Sequence, residues 1–213
     1  MDDPRLAAAN LAAAAAHRGA RFAYRRLVTS ISRAGHVWRV EIEGGERVEA
    51  PVLLNAAGPW SSMVNKMAGA AADFTIEIAG VGRGSRHGRC APSMELFEAQ
   101  VTRAARRFPD LVVPNRPKGI AGVYDVARDW TPVYDKTALP GFYVAIGTSG
   151  NQFKNAPVIG SLMDRIIDAV ENGHDHDLDP VHYTCPHTGL DVNLAAFSRK
   201  REVNKESSGT VMG

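Results

Sequence analysis

Residues 143–160 read YVAIGTSGNQFKNAPVIG, and no other stretch restricts the fold as much. An apolar run ends at Gly147 and enters a polar loop whose one full charge is Lys154. Pro157 then opens a helix with Ile159, Leu162, Met163, Ile166, Ile167 and Val170 on one stripe, stopped by Asn172-Gly173. A buried strand feeding a helix through so short a loop is an α/β unit. The helix start leaves free N–H groups and a positive dipole end, which attract anions or electron-rich oxygens. Gly147 and Gly150 permit close backbone approach, while Ser149, Asn151 and Gln152 supply polar side chains and Lys154 a charge. On spacing alone, a ligand-facing loop and an ordinary surface αβ loop fit equally well.

A second unit of the same kind lies upstream. In VLLNAAGPW (52–60) the apolar run Val52 to Leu54 lacks alternation, as in a strand covered on both faces. Gly58 and Pro59 end it, and Trp60, Val64 and Met67 then recur at helical spacing with Met63 beside them. Before this unit, Asp3-Pro4 caps an alanine-rich helix that stops near Arg18 and Gly19. Residues 21–28 are a short strand candidate. Residues 37–50 form a hairpin, with Trp38, Val40 and Ile42 on its apolar face and Gly44-Gly45 at its turn.

The middle differs in kind. Residues 77–92, EIAGVGRGSRHGRCAP, mix glycine with arginine, histidine and serine without periodicity and suit a linker. Gly80, Gly82 and Gly84 follow a strand-like TIEIA, but their spacing is not GxGxxG and Pro92 separates them from the next helix. That helix is expected from Ser93 to Arg107, burying Leu96, Phe97, Val101, Ala104 and Phe108. Residues 119–127 and 142–146 are expected strands around a turn-rich RDWTPVYDKTALPG, and residues 174–213 a solvated tail. No internal repeat is present.

Composition excludes several classes of function. A net charge of +2 gives no concentrated basic face for nucleic acid, and Arg103, Arg106 and Arg107 fit a solvated helix face. No stretch reaches the roughly 18–20 apolar residues of a membrane span. Two distant cysteines, Cys90 and Cys185, without a CxxC suit free thiols in a reducing, cytoplasmic compartment. His174, His176, His182, Cys185 and His187 alternate with Asp175, Asp177 and Asp179, but not at the spacing of a metal clamp, so no metal site is expected.

GTSGNQFKNAPVIG resembles the C-terminal flavin signature of the glycine/D-amino-acid oxidase family, which includes the sarcosine oxidases. LLNAAGPWS (53–61) is similar to a second marker of that family, and DPRLAAANLAAAAAHRGA fits the Asp-Pro, helix and glycine that precede its strand. The matching segments cover residues 2–65 and about 117–173 in the family's order. The resemblance implies an α/β fold: part of a Rossmann-like, glutathione-reductase-type FAD-binding domain with a remnant of a mixed-sheet substrate domain. The expected divisions are 1–72, an FAD-domain half without the GxGxxG unit; 73–116, a shortened linker and substrate-domain remnant; 117–173, the C-terminal strand-loop-helix; and the tail. The chain would thus be a family member truncated at its N-terminus and shortened in the middle.

The resemblance also implies roles. Val28 would lie beside the adenine, and Ala56, Ala57, Gly58 and Trp60 would line the FAD cleft. Gly147, Ser149, Gly150, Asn151, Gln152 and Phe153 would face the flavin ring and ribityl chain. Lys154 falls where sarcosine oxidases carry a lysine that pairs with the substrate carboxylate. FAD would be noncovalent, because the position of covalent attachment falls near Ala121 and Gly122 and holds no cysteine. The implied reaction takes a hydride from the carbon next to the amine of a small-molecule amino acid or amine to flavin N5, giving an imine that water hydrolyses. A second copy or a partner subunit would cover the missing half of the domain. The competing expectation is a non-catalytic remnant acting as an interaction module.

Overall fold

A computed structural model describes residues 4–70, 74, 78–81, 94–113 and 123–209. In chain order the elements are α1 (Pro4–His17), β1 (Val28–Ala34), β2 (Val37–Ile42), β3 (Arg47–Ala50), β4 (Leu53–Asn55), α2 (Ser61–Ala68), β5 (Ile78–Val81), α3 (Met94–Ala105), β6 (Tyr124–Ala127), β7 (Val133–Lys136), β8 (Phe142–Ile146), α4 (Ala156–Glu171), β9 (His182–Thr184) and β10 (Asp191–Asn193). Short 3-10 turns at Gly58–Trp60 and Phe153–Asn155 lead into α2 and α4, and a third spans Leu194–Phe197.

The central sheet has the order β4-β8-β7, with β4 parallel and β7 antiparallel to β8. Side chains alternate across β8 with the two-residue period of a strand. Phe142, Val144 and Ile146 pack on one face with Val133, Ala127, Trp38 and Ile31. Tyr143 points to the other face, where it joins Tyr134, Leu162, Met163, Ile166, Val181 and Leu194. The antiparallel meander β1-β2-β3 lies over the first face and α4 over the second. Burying each of these large apolar side chains contributes about 1.5–3 kcal/mol, so the two clusters flanking β8 hold the fold. Backbone approach is tight where the meander meets the sheet: Trp38 Nε1 donates to Pro140 O (3.1 Å), and Gly141 has φ +74°. A Cβ on Gly141 would stand 2.4 Å from Pro51 O, so only glycine fits.

Several expectations change. The strand placed at 21–28 begins instead at Val28, because pairing with β2 across the Gly35-His36 turn sets Ala34 opposite Val37 and Ile31 opposite Val40. Residues 21–27 are exposed and irregular, with Arg25 at φ +56°. Among the described residues the 52–54 run is an edge strand, and Leu54 is 40% exposed rather than covered on both faces. Ile78–Val81 in the expected linker pairs with β6, and β7 fills what reads as turns because its Asp135 is buried by partners that sequence does not show. Phe108 is exposed, not buried under α3. Ser93, residues 82–93 and residues 114–122, including Ala121 and Gly122, lie outside the described residues.

The expected solvated tail also differs. Val181 and Leu194 pack under α4, β9 and β10 form a hairpin, and the Phe197 ring lies 5.2 Å from Tyr134. Arg199 is fully buried: Nη1 donates to Asp135 Oδ2 (3.1 Å) and Asp177 Oδ1 (2.9 Å), and Nη2 to Asp177 Oδ2 (3.0 Å). Arg201 holds Asp129 in the β6–β7 turn (2.9 Å). The buried charges of this segment are all paired, and removing one partner of such a pair would cost about 3–5 kcal/mol.

The same network sets the acid response. Burial raises the Asp177 carboxyl, but hydrogen bonds from Arg199, Lys200 and Lys136 outweigh it and hold it well below the ordinary range. Asp129 is likewise raised by burial and lowered further by Arg201 and Asn204, to a net depression. Burial pushes the His176 imidazole down despite Asp135 and Asp177 nearby, and its Nδ1 accepts from Val181 N (2.9 Å), which is the neutral form. A depressed histidine binds its proton in the unfolded chain first, so stability falls as pH drops below about 6.5. Depressed carboxylates add a second loss below about 4, where the unfolded carboxylates protonate and the folded ones do not. Urea unfolding from pH 8 to 3 should show both steps; a midpoint flat down to pH 4.5 would contradict the role given to His176.

Candidate functional site

Parallel pairing of β4 with β8 brings the carboxyl ends of two strands to one side of the sheet, each followed by a turn and then a helix. Crevices at such strand ends are where open α/β sheets bind ligands. The first turn, residues 56–60, hangs on Asn55, which is buried. Asn55 Oδ1 accepts from Ala57 N (3.0 Å), and its Nδ2 donates to Ser61 O (3.0 Å) and Asn65 Oδ1 (2.8 Å). The chain therefore leaves β4 sharply. Gly58 takes φ +54° with open space where a Cβ would stand, and Ala56 and Trp60 are exposed, Trp60 at 57%.

The second turn hangs on Asp125 in β6. Its Oδ2 accepts from Gly147 N, its Oδ1 from Thr148 Oγ1 (2.7 Å) and its backbone carbonyl from Ser149 N (2.7 Å). Gly147, Ser149 and Gly150 all adopt left-handed φ, of 69°, 52° and 75°. For Ser149 that conformation costs about 1–2 kcal/mol, and its hydrogen bonds offset the cost. Further on, Gln152 Oε1 accepts from Tyr134 Oη (3.0 Å) and Asn155 Nδ2 (2.9 Å), while its amide nitrogen donates to Asn151 Oδ1. Burial, with the Asp125 charge, pushes the Tyr134 phenol well above its usual range, so it stays a donor. The 3-10 turn Gly58–Trp60 packs against β5 and β6, so β6 touches the first turn and holds the second.

Neither α2 nor α4 has a side-chain cap at its start. Asn155, at the head of α4, spends its amide on Gln152 instead. No side chain claims the first-turn N–H groups of either helix, although Ser61 N and Ala156 N donate to Gly58 O and Phe153 O of the preceding 3-10 turns. Small residues, open space over Gly58 and uncapped helix starts fit a large cofactor with phosphate and carbonyl oxygens.

Most of the expected site residues come together here: Ala56, Ala57, Gly58 and Trp60 in one turn, Gly147 to Lys154 in the other. Phe153 and Lys154 are exposed, and among the described residues Lys154 forms no ion pair. Ser149 does not present its side chain outward. It is fully buried, and its Oγ accepts from Ala127 N (3.2 Å) and donates to Gly147 O (3.1 Å). Val28 opens β1 opposite Ile42 and packs on the first core cluster. Sequence reasoning missed Asn55 and Asp125. Each is a polar residue inside an apolar strand run, the signal that marks a buried group with assigned partners. Among the described residues no group of histidine, cysteine, aspartate and glutamate could hold a metal, and no helix is long and apolar enough to cross a membrane.

The sequence profile of the family described as FAD dependent oxidoreductase matches residues 1–83 and 73–166. The chain belongs to that FAD-dependent family. Its fold is similar to glycine oxidase from Geobacillus kaustophilus, with TM-score 0.59 and 18% identity over 79% of this chain and 55% of that one. It is also similar to L-proline dehydrogenase from P. horikoshii, with TM-score 0.64 and 18% identity over 81% of this chain and 56% of that one. The chain therefore spans a little over half the length of these two proteins. No curated protein sequence matches it.

Asn55 should prove the anchor of the first turn. Asn55→Ala strands the Ala57 N–H and the Asn65 amide, and is expected to cost about 2–3 kcal/mol in chemical denaturation. A loss below about 0.5 kcal/mol would mean that the turn holds its shape without it.

Proposed function

We propose that this chain serves the FAD-dependent oxidation of a C–N bond in an amino acid or secondary amine, sarcosine-like or D-amino-acid-like, with FAD held noncovalently. Ala56, Ala57 and Gly58 and the 147–153 loop would hold the cofactor, with the α4 N-terminus toward its electron-rich oxygens. When bound, FAD supplies the acceptor for the hydride leaving the carbon beside the amine. The residues of the chain do the rest by orientation and charge. The observation that carries the substrate class is Lys154, an exposed ammonium beside the loop that makes no ion pair among the described residues. A cation so placed is matched by a carboxylate on the substrate, which it would position for transfer. A reducing, cytoplasmic setting suits the free thiol of Cys185.

Titrating the purified protein with FAD tests the cofactor. Retained visible flavin absorbance after gel filtration is expected. Its absence would overturn the flavoenzyme reading and favour a non-catalytic interaction module, with a partner subunit or a second copy over the exposed Leu54, Trp60 and Met63. In the loaded protein, Lys154→Met should raise KM for a carboxylated amine about tenfold or more with little change in kcat, since it removes a charge-assisted contact made in ground and transition state alike. Unchanged KM would refute the role of Lys154.

A further inference from the structure

We propose that Asp125 is a positioning residue for the cofactor, holding the 147–150 loop in its left-handed course before FAD arrives; this rests on the FAD-binding function proposed above. Asp125 is 1% exposed, and among the described residues no cation pairs with it. A buried carboxylate is costly unless hydrogen-bond donors surround it. Among the described residues every donor comes from one loop: Gly147 N and Thr148 Oγ1 to the carboxylate, and Ser149 N to the Asp125 carbonyl. The dependence runs both ways. Without the loop Asp125 is an unsatisfied buried charge, and without the Asp125 carboxylate the left-handed course of Ser149 at φ +52° is left to its own bonds with Ala127 N, Gly147 O and the residue-125 carbonyl.

The course imposed by Asp125 faces Ser149 inward, where its hydroxyl bridges Ala127 N and Gly147 O. Gly150 is left exposed next to it, without a side chain between its backbone and a ligand. A loop ordered in advance loses less conformational freedom on binding, and that saving appears as affinity. Tyr134, which feels the Asp125 charge and donates to Gln152 Oε1, extends the same control to the far end of the loop.

Two readouts test this, one without FAD. In the apo protein, Asp125→Ala should speed amide hydrogen exchange at Gly147 and Ser149 about tenfold or more and leave the α4 amides unchanged. The FAD Kd should rise about tenfold or more. Asp125→Asn can still accept from Gly147 N–H and donate to a reversed Thr148 hydroxyl, so it should restore both values to within about threefold of wild type. Faster exchange with an unchanged Kd would overturn the proposal, as would unchanged exchange. If Asp125→Ala does not fold, Thr148→Val carries the test: it deletes the 2.7 Å bond while keeping the carboxylate, and wild-type Kd and exchange would overturn the proposal. Failure of the wild-type protein to bind FAD refutes the cofactor assignment itself, and the wild-type control separates the two failures.

Discussion

Three residues of parallel pairing, Leu53 to Asn55 of β4 against Phe142 to Val144 of β8, set the arrangement of everything that follows. Parallel strands end on the same side, so the turns at 56–60 and 147–153 become neighbours although some ninety positions separate them in sequence. Antiparallel pairing would have sent them to opposite ends of the sheet. The register is anchored just before the ladder, where Leu53 N donates to Gly141 O (2.8 Å) and only glycine fits against Pro51. The meander reinforces that point through Trp38. Core packing and site geometry therefore meet at one residue, Gly141, well away from the turns.

Buried polar groups then do what apolar packing cannot, which is to specify loop shape. Asn55, Asp125, Asp129 and Asp135 are each nearly inaccessible, and each is satisfied by backbone N–H groups or side chains of a segment that would otherwise be irregular. Each hydrogen bond is worth only about 1 kcal/mol net, but leaving one of these groups unsatisfied costs about 1–3 kcal/mol. The asymmetry explains why one residue can decide a turn. It also separates the two ends of the sheet: Asp129 and Asp135 dock the C-terminal segment, while Asn55 and Asp125 shape the candidate site.

Much of this was readable from sequence, for reasons that differ by element. The 159–170 stripe and the 37–50 hairpin follow periodicity that burial enforces locally, and both formed. The glycines at 58, 147 and 150 marked turns because only there does left-handed backbone come without strain. The family followed from two separated motifs in order, and its FAD dependence from the family. What escaped was nonlocal. β7 hides behind Trp130, Pro132 and Asp135, since its charge is tolerable only once Arg199, sixty-four positions later, arrives to pair with it. Residues 174–209 read as a solvated tail for the same reason. Ser149 read as a ligand-facing hydroxyl because nothing in its neighbourhood announces that Ala127 and Gly147 occupy it.

The central claim is that the two turns form a single cofactor-binding edge, coupled through β6. Amide chemical shifts of isotope-labelled protein, followed while FAD is added, test it most directly. The account predicts that Ala57, Gly58, Gly147 and Gly150 shift together along one binding curve. Shifts confined to one turn, or two turns following different curves, would contradict it.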